Sequence, residues 1–228
     1  MSAATDRDGA ETKTDQALKQ LQRDLLSAQH APGKKLKLHE LKKAYGTGFG
    51  ALREALWRLS AEGLVVVNSR KGFQVSDVSR EELLDLSRLR VMLECMALEE
   101  AIANRTHDWE GDIVGSFHRL SKYTQADGAA WDKCHKSFHE SLVATCRSPV
   151  LQQIRKQLFD RAQRYRNVVR HTQKRDDLTE HRNIMEACLA HDVAKATKLM
   201  SLHFQLTTDL VVEKFDRLVK AAKPKASR

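Results

Sequence analysis

The stretch LVVVNSRKGFQVS, residues 64–76, constrains the fold more than any other, because it is the one place where strand patterning shows. Two short runs, LVVV and GFQVS, flank the turn NSRKG and read as a β-hairpin. Apolar residues at helical spacing precede it, and from Ser79 onward the chain reads as helices with short breaks. The fold class is therefore mainly α, with one hairpin closing the first third and no room for a large sheet.

Before the hairpin, Leu18, Leu21 and Leu25 predict a first helix that HAPGKK breaks near His30. Leu38, Leu41 and Tyr45 share one side of a second, closed by Gly46, and Leu52, Leu56 and Leu59 point inward from a third that Gly63 ends. Helix, helix, turn, helix, basic hairpin is the order of a winged helix-turn-helix. Its third helix is narrow enough to enter a major groove and present side chains to base edges. Arg53 lies near the entering end, with a salt bridge to a neighbouring carboxylate as its alternative use. Arg70 and Lys71 sit at the hairpin tip, where they can reach the backbone or minor groove. Trp57 reads as a hydrophobic contact and Arg58 as a phosphate contact.

Charge follows the same division. Residues 17–78 hold eleven Lys or Arg against five Asp or Glu, residues 79–212 twenty against nineteen, and residues 213–228 six against two. A basic head on a balanced body fits nucleic-acid binding. The expected organisation is a disordered N-terminus (1–16), a DNA-binding domain (17–78), a helical domain (79–212) and a basic tail (213–228). No apolar run approaches the ~20 residues of a membrane span and the first residues lack an apolar signal core, so a cytoplasmic protein with no membrane partner is expected. Cys95, Cys134, Cys146 and Cys188 form no CxxC pair and read as reduced, mostly buried thiols.

In the second part, Ser79 and Glu82 form a capping box opening a long helix through Leu83, Leu86, Leu89, Leu93 and Ala97 to about Asn104. Asp108 is expected to cap the next helix, Ser148 with Pro149 at N1 begins another, and His191 and Asp192 start the last. Six helices fit, as an antiparallel bundle. Within it, HKSFHE places His135 and His139 four apart on one face, and His181 and His203 sit on two further helices. A borderline divalent cation needs three or four such nitrogens converging from separate helices. The alternatives are chance spacing and histidines that simply pack in the core. His118, in SFHRL, lacks such companions and is expected to be exposed or capping.

The run APGKKLKLHELKKAYGTGFGALREALWRLSAEGLVVVNSRKGFQV resembles the DNA-binding domain of the GntR family of bacterial transcription regulators, most specifically in LREALWRLSAEGL. The recognition turn departs from the family: Phe49 stands where the resemblance implies a base-reading arginine, and Gly48 and Gly50 replace hydroxyl residues, while Arg53 and Glu54 are retained. The DNA-contacting set implied is Phe49, Gly50, Arg53, Arg58, Arg70, Lys71 and Gly72. FHESL, EHRNIMEACLAHDVAKATKLMSLHF and LSRLRVMLE resemble the FCD domain of the FadR subfamily, extending the likeness over residues 17–212. HKSFHESLVATCRSP and RYR are most similar to its carbon-starvation-induced branch.

That resemblance implies a metal held by one aspartate and three histidines. His139, His181 and His203 match the histidines, and His135 occupies the aspartate position. An all-histidine set suits zinc or nickel and disfavours manganese or magnesium; Asp132, seven residues before His139, is a poor substitute. Without a metal, the histidines would line a polar pocket that binds the effector directly. Effectors in the family are mostly small organic acids, and Arg90 matches an arginine that can hold a carboxylate; its alternative is a helix pair with Glu94. Of Arg161, Arg164, Tyr165 and Arg166, most are expected on the solvated face. The reading is a repressor acting as a homodimer on a pseudo-palindromic double-stranded operator and answering to a small carboxylate. A metal-dependent hydrolase would place a carboxylate base as in HExxH, but Glu140 follows the second histidine. A non-catalytic nucleic-acid-binding scaffold is the other rival.

Overall fold

Thr12 starts the first helix by accepting a hydrogen bond from the Asp15 backbone N–H at 3.1 Å. In the computed structural model, which describes residues 12–69, 72–169 and 176–222, the chain divides into two compact units, 1–78 and 79–228. Helix α1 (Lys13–Leu26) buries Ala17, Leu21 and Leu25, spaced four apart on one stripe. It begins four residues before the expected domain boundary and ends short of His30.

The rest of the first unit follows the expected order. Helices α2 (Leu38–Tyr45) and α3 (Phe49–Ala61) are separated by a turn in which Gly46 takes φ of 63°, the left-handed conformation that ends α2. Strands β2 (Val65–Asn68) and β3 (Gly72–Val75) pair antiparallel with Val65 opposite Val75. The sequence pattern missed β1 (Lys35–Leu36), which pairs with the other edge of β3 to give the order β1-β3-β2. Two residues are too few for a period-two signal. Gly33 makes that edge possible: its φ is 73°, and a β-carbon there would lie 2.8 Å from Asp77 Oδ1. Leu21, Leu25, Leu52, Leu56, Leu59 and Leu64 are fully buried together beneath the sheet residues Val65, Phe73 and Val75.

The second unit comprises, among the described residues, six α-helices: α4 (Arg80–Ala103), α5 (His107–Leu120), α6 (Ala129–Leu142), α7 (Pro149–Val168), α8 (Asp177–Leu189) and α9 (Val193–Ala222). Ser79 and Ser148 cap α4 and α7 as expected, but the Glu82 half of the capping box does not form, because the Ser79 N–H donates to Tyr165 Oη and Glu82 is taken by Tyr165 and Arg161. At α5 the cap is Thr106, whose hydroxyl accepts from Trp109 N–H at 3.1 Å. Asp108 instead lies in the first turn, where its charge favours the helix dipole. Helix α9 continues past residue 212 with Val211 and Phe215 buried, so packing, rather than the local charge of the segment after 212, fixes its length.

Along α4 the buried stripe is Leu83, Leu86, Arg90, Glu94, Ala97 and Leu98, with Leu89 and Leu93 only half-buried. Two charges thus stand where the leucine spacing pointed to core. A hydrophobic centre including Trp109, Ile113, Phe138, Leu142, Ile184, Met200 and Phe204 joins the bundle. All four cysteines are free thiols, Cys146 and Cys188 buried. No helix among the described residues is long and apolar enough to cross a membrane.

Candidate metal centre and nucleic-acid interface

Helix α6 turns His135 and His139 inward because their spacing of four puts both on the face that also buries Trp131, Phe138 and Leu142. Helices α8 and α9 bring His181 and His203 to the same point. All four side chains are at least 96% buried, and one ring nitrogen from each lies within 4.8 Å of the others. The Nε2 atoms of His135 and His139 are 3.2 Å apart. That is close to the roughly 3.3 Å edge of a tetrahedron with metal–nitrogen bonds of ~2.0–2.1 Å. The indole of Trp131 stacks on His135 at 4.4 Å, and the Phe204 ring lies 5.5 Å from that of His139.

Burial holds the imidazoles of His135 and His139 well below the usual histidine pKa, and neighbouring groups push the same way: His139 on His135, and His203 and His181 on His139. Neutral imidazole is the ligating form. One carboxylate orients the set from outside it: Glu180 Oε2 sits 2.9 Å from His203 Nδ1, so that ring turns its Nε2 edge away from Glu180. The buried Nδ1 atoms of His135 and His139 have no hydrogen-bond partner. Four ring nitrogens converging in a core, one ring fixed by a carboxylate, fit a late divalent cation such as zinc or nickel. Asp132 is engaged elsewhere, accepting from Gln163 Nε2 at 3.0 Å. Glu140 and His118 are exposed.

Arg90 is buried, with its guanidinium 4.4 Å from the Phe204 ring centroid and 5.2 Å from that of Phe159. Burial pushes its pKa down to about 10, and its Nε has no hydrogen-bond partner. The alternative helix pair with Glu94 is replaced, because Glu94 Oε2 accepts from Arg155 Nε at 3.1 Å. Arg155 also donates to the His139 carbonyl at 3.4 Å, bracing α6. Sequence reasoning missed Arg155, which lies in a polar run with no motif, and Glu180, whose partner is on another helix. The solvated face expected for the RAQRYRN stretch is also corrected. Arg164 and Tyr165 are buried, Arg161 pairs with Glu82, and Arg166 adds positive potential at both His135 and His139. Close packing of α7 against α4 encloses these side chains.

In the first unit, α3 exposes Phe49, Gly50, Arg53, Trp57 and Arg58. Among the described residues Arg53 has no carboxylate within ion-pair reach. Arg58 is engaged, donating to Glu54 Oε1 at 2.6 Å and to Asp15 Oδ1 at 3.2 Å, so a phosphate contact would compete with these. Trp57 meets Phe73 edge-on at 6.0 Å. Gly72 is exposed at the start of β3; Arg70 and Lys71 lie outside the described residues.

Residues 13–75 match the profile of bacterial regulatory proteins, gntR family, and residues 85–206 that of the FCD domain. The chain is 38% identical over 194 residues to the HTH-type transcriptional repressor GlaR of Escherichia coli, covering 80% of this chain and 88% of that one. It is 31% identical over 200 residues to the HTH-type transcriptional regulator BphR of Paraburkholderia xenovorans, covering 84% and 82%. The solved structure of E. coli McbR/YncC superposes with a TM-score of 0.79 over 90% of this chain and all (100%) of that one, at 20% identity, which speaks to fold.

Proposed function

The chain belongs to the GntR family of bacterial transcription regulators and carries an FCD domain, and we propose that it represses transcription as a homodimer on a pseudo-palindromic operator that a small carboxylate makes it release. It is a regulator rather than an enzyme. The observation that carries the finer reading is the buried meeting of His135, His139, His181 and His203 under the positive potential of Arg90 and Arg166.

The four histidines would hold a late divalent ion, which supplies a Lewis-acidic anchor for one carboxylate oxygen. Unlike a site with an aspartate ligand, this one contributes no negative charge from its four ring nitrogens. Arg90, buried and with an unpartnered Nε, can donate to the acid's other oxygen. Trp131, Phe159 and Phe204 pack against the rings of His135 and His139 and the Arg90 guanidinium and keep water from them, which strengthens each of those interactions. Effector site and head are coupled by linkage: whatever differential affinity the acid has for two forms of the bundle, the operator reads in reverse, typically ~1–3 kcal/mol.

Within the helical unit, that coupling would run through Tyr165. Tyr165, beside Arg166, donates its hydroxyl to Glu82 at 2.5 Å and accepts from the Ser79 backbone N–H at 3.1 Å. Ser79 is the first residue of that unit. Support for a dimer comes from the outward face of α4 and α9. Bonds from Cys95 to Thr197 and from Thr208 to Ser87 set these helices antiparallel, bringing the exposed Met92 and Met96 to the level of exposed Leu202. Such a face suits a two-fold, self-complementary contact.

The test is elemental analysis of untagged protein purified without chelators, beside His139→Ala. About one late divalent ion per chain in the wild type, lost in the variant, is the expected result. Protein that cannot be loaded with zinc or nickel would overturn the metal reading and leave a direct polar pocket. A titration in which no carboxylate alters operator affinity would overturn the effector reading.

A further inference from the structure

The first turn of α3 is bare of hydrogen-bonding side chains: Gly48, Phe49, Gly50, Ala51 and Leu52 run to Arg53 before a polar group appears. Gly48 caps the helix without any side-chain bond. A β-carbon on Gly48 or Gly50 would meet nothing within 4 Å, so packing does not require either glycine. What the turn does present is one large apolar group, the Phe49 ring, 45% exposed at the first helical position. Lys42 of α2 places its ammonium 4.8 Å from the ring centroid, close enough for a cation–π contact.

A recognition helix entering the major groove brings these N-terminal positions against base edges. Only one feature of those edges is apolar, the 5-methyl group of thymine. Against a cytosine amino group or a guanine carbonyl, the ring would strip water from a polar group and return no hydrogen bond. The two side-chain-free glycines let the helix end approach closely, and Arg53, one turn on, remains able to contact a guanine or a phosphate. From this geometry we infer that Phe49 is a specificity-determining residue that reads the methyl group of one thymine in each half-site.

This inference rests on the operator-binding reading, and its test separates the two. A duplex is selected from a random-sequence pool with the full-length wild-type protein, and each thymine is then replaced singly by deoxyuridine, which removes the methyl and leaves the hydrogen-bonding edge intact. In anisotropy titrations the wild type should lose about fourfold affinity at one thymine per half-site, the equivalent of one buried methylene. Phe49→Ala should bind the thymine and uracil duplexes equally, and Phe49→Leu should keep part of the preference. Tight binding with no uracil-sensitive position, or sensitivity that persists in Phe49→Ala, would overturn the assignment and leave DNA binding standing. Failure to select any duplex would sink both. Circular-dichroism melts of the variants check folding.

Discussion

The head and the helical domain build their sites by opposite means. In the head, one 13-residue helix presents Phe49, Arg53 and Trp57 to solvent, all within nine consecutive positions. In the helical domain the site is buried and comes from α6, α8 and α9, with His135 and His203 separated by almost half of the unit's length. Exposed groups on one helix need only that helix to form, whereas buried groups on three need the whole bundle. The first kind of site should therefore tolerate substitution without loss of fold, and the second should not.

Five substitution or labelling experiments sharpen that contrast, beyond the metal loss expected for His139→Ala. The largest effect is expected from Arg155→Ala, which strands the buried Glu94 carboxylate and should cost about 3–5 kcal/mol in a denaturant melt. Replacing both residues by methionine should recover most of it. Stability lost equally in the double variant would mean the pair is needed for more than charge balance. Next, Glu180→Gln should weaken metal affinity about 10–100-fold in a competition with a chromophoric chelator, because it weakens the partner that orients His203.

On the head, Arg53→Ala should cost about 1–3 kcal/mol of operator affinity in titrations while leaving the melting temperature in place. Arg58→Ala breaks exposed contacts to Glu54 and Asp15 and should barely move the melt. A marked fall in stability from either would erase the contrast between the two regions. The smallest signal is chemical. Burial pushes the Cys188 thiol up to about 12 and Cys95 up to about 11. Native protein should thus show slow alkylation at both, rising with pH and faster at Cys95, as read by peptide mass spectrometry.

Much of this was legible in the chain. The capping serines 79 and 148, the glycine after Tyr45 and the hairpin follow from local chemistry, and each stands where that chemistry puts it. Local reasoning failed where a partner came from far away. Thr106 rather than Asp108 caps α5, β1 exists only because β3 offers it an edge, and α9 outruns its expected end because Phe215 finds a buried place. The four histidines were grouped through the family resemblance; nothing local in the chain brings their rings together, and the packed bundle does.

The sequence by itself determined the class of the protein, the winged-helix order, the count of six helices found among the described residues of the second unit and the four histidines to look for, since periodicity, caps and motif spacing are properties of neighbours along the chain. Tertiary structure alone decided that Glu94 answers to Arg155 instead of Arg90, that Glu180 steadies His203, and that Arg164 and Tyr165 lie inside. Those pairings cross 23 to 83 residues of chain, and only the packed helices bring such charges near enough for a dry interior to demand a partner for them.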